Sequence, residues 1–158
     1  MTGGQPVYIA LDVGDARIGV ALSRSGVLAE PYVTVERKGR RQVLDAIEAI
    51  VTETAATDCV LGLPLLEGGQ EGAQAEKTRA FARSLQRRLP ALRLHFFDER
   101  YTSSDAREIA ANRGQRSPSR ALIDRLAASV ILQDFLDAGG TEGKDQHEKK
   151  KREPDAPS

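Results

Sequence analysis

Three acids sit where a layered fold would bring them together. Asp12 closes the apolar run Val7-Tyr8-Ile9-Ala10-Leu11, and Glu99 closes Leu92-Arg93-Leu94-His95-Phe96-Phe97. Asp124 lies on a C-terminal helical stripe, with Ala128, Ile131 and Phe135 at i+4, i+7 and i+11. An acid at a strand end often only caps a helix, and a helix acid can pair with an arginine. Three carboxylates gathered in one low-dielectric pocket would repel one another. A hard divalent cation, Mg²⁺ or Mn²⁺, prefers oxygen ligands and would keep all three ionised. The chemistry such a centre supports is metal-assisted phosphodiester hydrolysis.

Cations accompany these acids. Arg113, Arg116 and Arg120 lead up to Asp124, and Arg100 follows Glu99, so these four are candidate phosphate contacts. Arg79, Arg83 and Arg87 form an i+4 stripe that reads as a solvated helix face, and Arg37-Lys38-Gly39-Arg40-Arg41 leads into the first helix. The 23 Lys and Arg balance the 23 Asp and Glu, so any nucleic-acid binding must rest on a local patch. Aromatics make up 4% of the chain and Trp is absent, which argues against base stacking as the main device. His95 and the lone Cys59 read as core residues, and Asp98 as a structural acid on the strand face opposite Glu99. Nothing at the N-terminus resembles a signal peptide and no apolar stretch is long enough for a membrane, so a cytoplasmic protein with no membrane partner is expected.

The elements that must position these residues follow from periodicity. Val7 to Leu11, a Gly14-Asp15 turn and Ile18 to Leu22 predict an antiparallel hairpin, with a third strand around Tyr32 to Val35. Val43, Leu44, Ile47, Ile50 and Val51 make one helical stripe. Cys59 to Leu63 reads as a buried strand ended by Pro64, and Gly68, Gly69 and Gly72 mark a loop. Ala75 to Leu89 predicts a second helix that Pro90 terminates. The strand from Leu92 ends at Asp98-Glu99, a short helix capped near Thr102 runs through Ala110, and a last helix runs from about Ser119 to Leu136. The expectation is an α/β fold with a mixed five-stranded sheet: an antiparallel β1-β2-β3 ribbon, then parallel strands, with helices packed on the sheet. Residues 1–140 form the expected domain, and the polar, charged segment 141–158 is an expected disordered tail. In such sheets ligands bind beyond the carboxyl ends of the parallel strands, where Asp12 and Glu99 fall.

These residues resemble a known family. Asp12-Val13-Gly14 with Arg17-Ile18-Gly19-Val20-Ala21 resembles the opening motif of the YqgF family, also called RuvX. Gly62-Leu63-Pro64 with Gly69 and Gly72, Asp98-Glu99-Arg100 with Thr102-Ser103, and Asp124 with Ala127-Ala128 and Ile131-Leu132-Gln133 resemble its later motifs in order. The resemblance covers roughly residues 7 to 137. It implies an RNase H-like fold, catalytic and metal-binding roles for Asp12, Glu99 and Asp124, and nuclease activity in pre-16S rRNA 5′-end processing, hence ribosome biogenesis, or in Holliday-junction resolution. It adds Arg17 to Arg100, Arg113, Arg116 and Arg120 as nucleic-acid contacts. Cutting a junction twice would require a homodimer. Departures from the family pattern are Arg24, where an acid is common, Leu66 and Gly68 in the glycine loop, and Tyr101. Two other readings compete: a non-catalytic nucleic-acid-binding factor on the same fold, and an ATP-binding fragment, since Asp12-x-Gly14-x-x-x-x-Gly19 also resembles the phosphate hairpin of actin-like folds.

Overall fold

The computed structural model describes residues 4–66, 68–99 and 119–140. Within them the order is β1 (Tyr8–Val13), β2 (Arg17–Ser23), β3 (Glu30–Glu36), α1 (Arg40–Thr54), β4 (Asp58–Pro64), α2 (Ala73–Arg88), β5 (Arg93–Glu99) and α3 (Arg120–Asp137). The five strands form one sheet in the order β3-β2-β1-β4-β5, antiparallel across β3, β2 and β1 and parallel across β1, β4 and β5. The expected short helix through Ala110, Arg100, Arg113, Arg116 and the tail 141–158 lie outside the described residues.

The hairpin that opens the chain depends on Gly14. Its amide donates to the Arg17 carbonyl at 2.9 Å, and a Cβ at position 14 would lie 2.8 Å from that same oxygen, so only glycine closes this turn without strain. Alternation along β1 then sorts side chains between two cores. Ile9, Leu11 and Val13 join Val43, Ile47 and Ile50 of α1 and Phe81 and Leu85 of α2 on one face. Tyr8 and Ala10 join Ala21, Val60 and the α3 residues Ala128, Ile131, Leu132 and Phe135 on the other. Phe135 is the hub of that second face, with the Tyr8, His95 and Phe97 rings 5.9, 5.2 and 6.1 Å from its own.

Both faces of β1 and β4 are covered, which is why their sequences read as unbroken apolar runs. Edge strand β3 is only half-buried and carries Pro31, whose missing amide costs least at an edge. Helix α1 starts at Arg40, a turn before its apolar stripe, because Arg40-Arg41-Gln42 is exposed and leaves no periodic signal. Helix α3 starts where Ser119 caps it, its side chain accepting from the Leu122 amide at 3.1 Å.

Candidate active site

The α3 face of the hairpin is built from small residues. Ala10 pairs with Ala21, and two positions along, Asp12 pairs with Gly19. With no side chains of any bulk there, α3 settles onto the strand backbone itself. A Cβ on Gly19 would lie 1.9 Å from the Asp124 carbonyl oxygen and 2.8 Å from the Arg125 amide, so the helix is seated on position 19 by the absence of that one carbon. This close approach holds Asp124 directly over the strand pair that carries Asp12. On the other side of β1, β4 pairs in parallel as far as Leu11–Leu61, and Gly62 follows one residue beyond. Asp12 itself is half-buried beside the Gly19 position on which α3 is seated.

Asp124 is not an unpaired charge on an apolar face. Arg17 Nε donates to its Oδ2 at 2.7 Å, with both side chains about three-quarters buried (27% and 23% exposed). Arg17 enters β2 two residues before Gly19, on the same strand face, so the seating of α3 and the ion pair share one origin. The helix-acid-to-arginine pairing is therefore realised, and one of the candidate phosphate contacts acts as the counter-charge of a candidate metal ligand. Around it, Thr34 Oγ1 donates to the Ala121 carbonyl at 2.6 Å and accepts from Arg125 Nε at 3.3 Å, tying the start of α3 to β3. Arg120 is exposed at the first position of α3.

Glu99 closes β5 in register with Pro64, two positions beyond the Gly62–Phe97 pair. Position 99 shares the odd parity of His95 and Phe97, both of which pack against Phe135 of α3; its side chain lies outside the described residues. Among the described residues no group of three His, Cys, Asp or Glu forms a metal cluster. Asp12 and Asp124, both hard oxygen donors held on either side of Gly19, have the donor chemistry that Mg²⁺ or Mn²⁺ requires.

Other polar residues of the sheet serve packing. His95 is a core residue, as its position in the strand implies, and its Nε2 lies 2.8 Å from Asp58 Oδ2, with both side chains 2% exposed. Thr57 Oγ1 donates to the other Asp58 oxygen at 2.6 Å. The acid that hydrogen-bonds with His95 follows a turn and begins a strand, so the sequence pattern alone does not single it out. Cys59 beside it is fully buried, and desolvation together with the nearby Asp58 charge pushes its thiol well above the ordinary range. Arg79 is not simply solvated: it makes a bidentate pair with Glu71 at 2.7 and 2.6 Å and stacks 4.7 Å from the Phe96 ring centroid.

A mixed sheet of this order, with an acid closing its central strand and a helix acid seated over it, defines an RNase H-like fold. The same fold is found in Thermus thermophilus RuvC, solved in complex with a Holliday junction substrate. That match has a TM-score of 0.53 at 11% identity and covers 86% of this chain and 98% of RuvC. The family model for RuvX, described as a Holliday junction resolvase, matches residues 6–138. A Chloroflexus aurantiacus protein provisionally named pre-16S rRNA nuclease is 38% identical over 144 residues, covering 90% of this chain and 94% of its own length. A Synechococcus elongatus protein with the same provisional name is 42% identical over 137 residues, covering 84% and 91%. The chain belongs to the RuvX family, and with it to the hydrolases that cut phosphodiester bonds. Among the described residues, no helix is long and apolar enough to cross a membrane.

Proposed function

We propose that this chain is a cytoplasmic, divalent-metal-dependent nuclease for structured nucleic acid, acting in pre-16S rRNA 5′-end maturation or on four-way junctions, the latter as a homodimer. Residues 1–140 form its catalytic domain, with 141–158 as an appended charged tail. Asp12, Glu99 and Asp124 would hold Mg²⁺ or Mn²⁺. The ion would supply a bound hydroxide nucleophile and charge stabilisation for the leaving oxygen. Asp12 would offer its carboxylate to the ion from the strand pair on which α3 and Asp124 are seated. Arg17 balances the Asp124 charge and would contact the scissile phosphate. Arg100, Arg113, Arg116 and Arg120 would position flanking phosphates, which fix register without reading sequence.

The observation that supports this most is the close approach at Gly19, which seats one candidate ligand over the strand pair bearing another. The test is a cleavage panel with a four-way DNA junction, single-stranded RNA and a pre-16S leader RNA under Mg²⁺ or Mn²⁺. Asp12→Asn and Asp124→Asn are each expected to lower cleavage by about 10²-fold or more. Full activity in both variants would contradict the assignment.

A further inference from the structure

On the opposite side of the sheet from Asp124, the basic run Arg37-Lys38-Gly39-Arg40-Arg41 does not dissolve into solvent. The start of α1 faces α2 across a cleft of about 310 Å³ whose walls include Arg37, Arg40 and Lys77, with Asp15 as the acid among its described lining and Phe81 and Ser84 on its floor. Arg37 is held there by neutral groups. Its Nη1 donates to the Gly14 carbonyl at 2.6 Å, and its guanidinium lies 5.6 Å from the Phe81 ring centroid. It is fixed in position by groups that carry no charge. Neither Arg37 nor Arg40 has an ion-pair partner among the described residues. Lys77 meets Asp15 only loosely, at 3.3 Å between side chains 60% and 69% exposed, so an incoming anion can replace that pairing at little cost.

The backbone adds to the same field. The N-cap of α1 is Gly39, which provides no side-chain cap, and the first turn contains no acid. Its leading amides and the positive end of the helix dipole are left for an anion. Arg37 ties the cleft to Gly14, two residues past Asp12 on the β1–β2 turn, and Asp15 of the same turn lines it, so the cleft adjoins the end of the sheet that carries Asp12.

We propose that this cleft is a second phosphate-binding subsite, which takes a phosphodiester of a nucleic-acid strand that crosses the rim of the sheet from the acid site. Arg37 is its preorganised anchor, and Arg40, Lys77 and the α1 amides complete the cradle. The identity of the strand rests on the nuclease reading of the neighbouring acids; the site itself does not.

The test is fluorescence anisotropy of the full chain in EDTA, with labelled 20-mer single-stranded RNA and single-stranded DNA across a salt series. The Arg40→Gln/Lys77→Gln double variant is expected to weaken binding about fivefold or more and to flatten the salt dependence by about 0.7 in log–log slope for each phosphate no longer neutralised. Arg83→Gln, an exposed α2 cation outside the cleft, is expected to bind like wild type. A weakening confined to RNA or to DNA supports the subsite and says which strand it takes. An unchanged slope in the double variant, equal weakening by Arg83→Gln, or no binding of either probe by wild type overturns it. Because no metal is present and no cutting is scored, these results are independent of whether Asp12→Asn abolishes cleavage.

Discussion

Asp124 pairs with Arg17, and in the proposed site it would share its carboxylate with a bound cation, a balance that can be measured. The ion pair is partly exposed, so its own contribution to stability is about 1 kcal/mol or less. Arg17→Ala is therefore expected to fold with a small loss of stability in EDTA. In that variant the thermal stabilisation on adding Mn²⁺ should exceed that of wild type, because the metal then meets a carboxylate with no competing guanidinium. Differential scanning fluorimetry with and without Mn²⁺ reads this directly, and a smaller metal-induced shift in the variant would show that Arg17 assists metal binding instead. The sequence marks the three acids as candidates from their positions at strand ends and on a helical stripe, and the fold places Asp12 and Asp124 on the same face of the sheet. The pairing of Arg17 with Asp124 was not legible there, since the two are 107 residues apart and only the packing of α3 on β2 brings them together.

At the scale of elements, the position of α3 depends on position 19. Gly19→Ala would drive a methyl group into the helix backbone at Asp124, where no side chain can rotate away. The expected result is a loss of about 1–3 kcal/mol in urea denaturation, together with reduced cleavage, as α3 lifts and carries Asp124 with it. A variant of wild-type stability and activity would show that α3 does not sit against that strand. The elements themselves were readable wherever one face is apolar: the hairpin, α1, β4, α2, β5 and α3 all fall where their periodicity put them. Their ends were not, because Arg40-Arg41-Gln42 and Glu30-Pro31 are exposed and carry no pattern. The close approach at Gly19 was hinted at only by the run of small residues Gly19, Ala21 and Ala10, whose meaning emerges once β1 and β2 are paired.

For the molecule as a whole, two cores clamp one sheet, and Cys59 lies sealed at its centre. Burial holds its thiol protonated in the fold, whereas the unfolded chain would ionise it near the ordinary value of 9.0. A raised acid pKa is a contribution to stability that is complete below that value and is lost as pH climbs above it. Urea unfolding between pH 8 and 10 should therefore lose up to about 1.4 kcal/mol per pH unit above the unfolded pKa through this group. Cys59→Ala should flatten that loss, and an identical pH dependence in the variant would refute it. The fold and the family stand on the whole sheet, but the proposed function requires three side chains to converge at one end of it. Anomalous diffraction at the manganese edge from Mn²⁺-soaked crystals tests that convergence most directly. The account requires a metal peak with oxygens of Asp12, Glu99 and Asp124 about 2.0–2.6 Å away. A peak elsewhere, or any one of the three carboxylates turned away from it, would contradict the account.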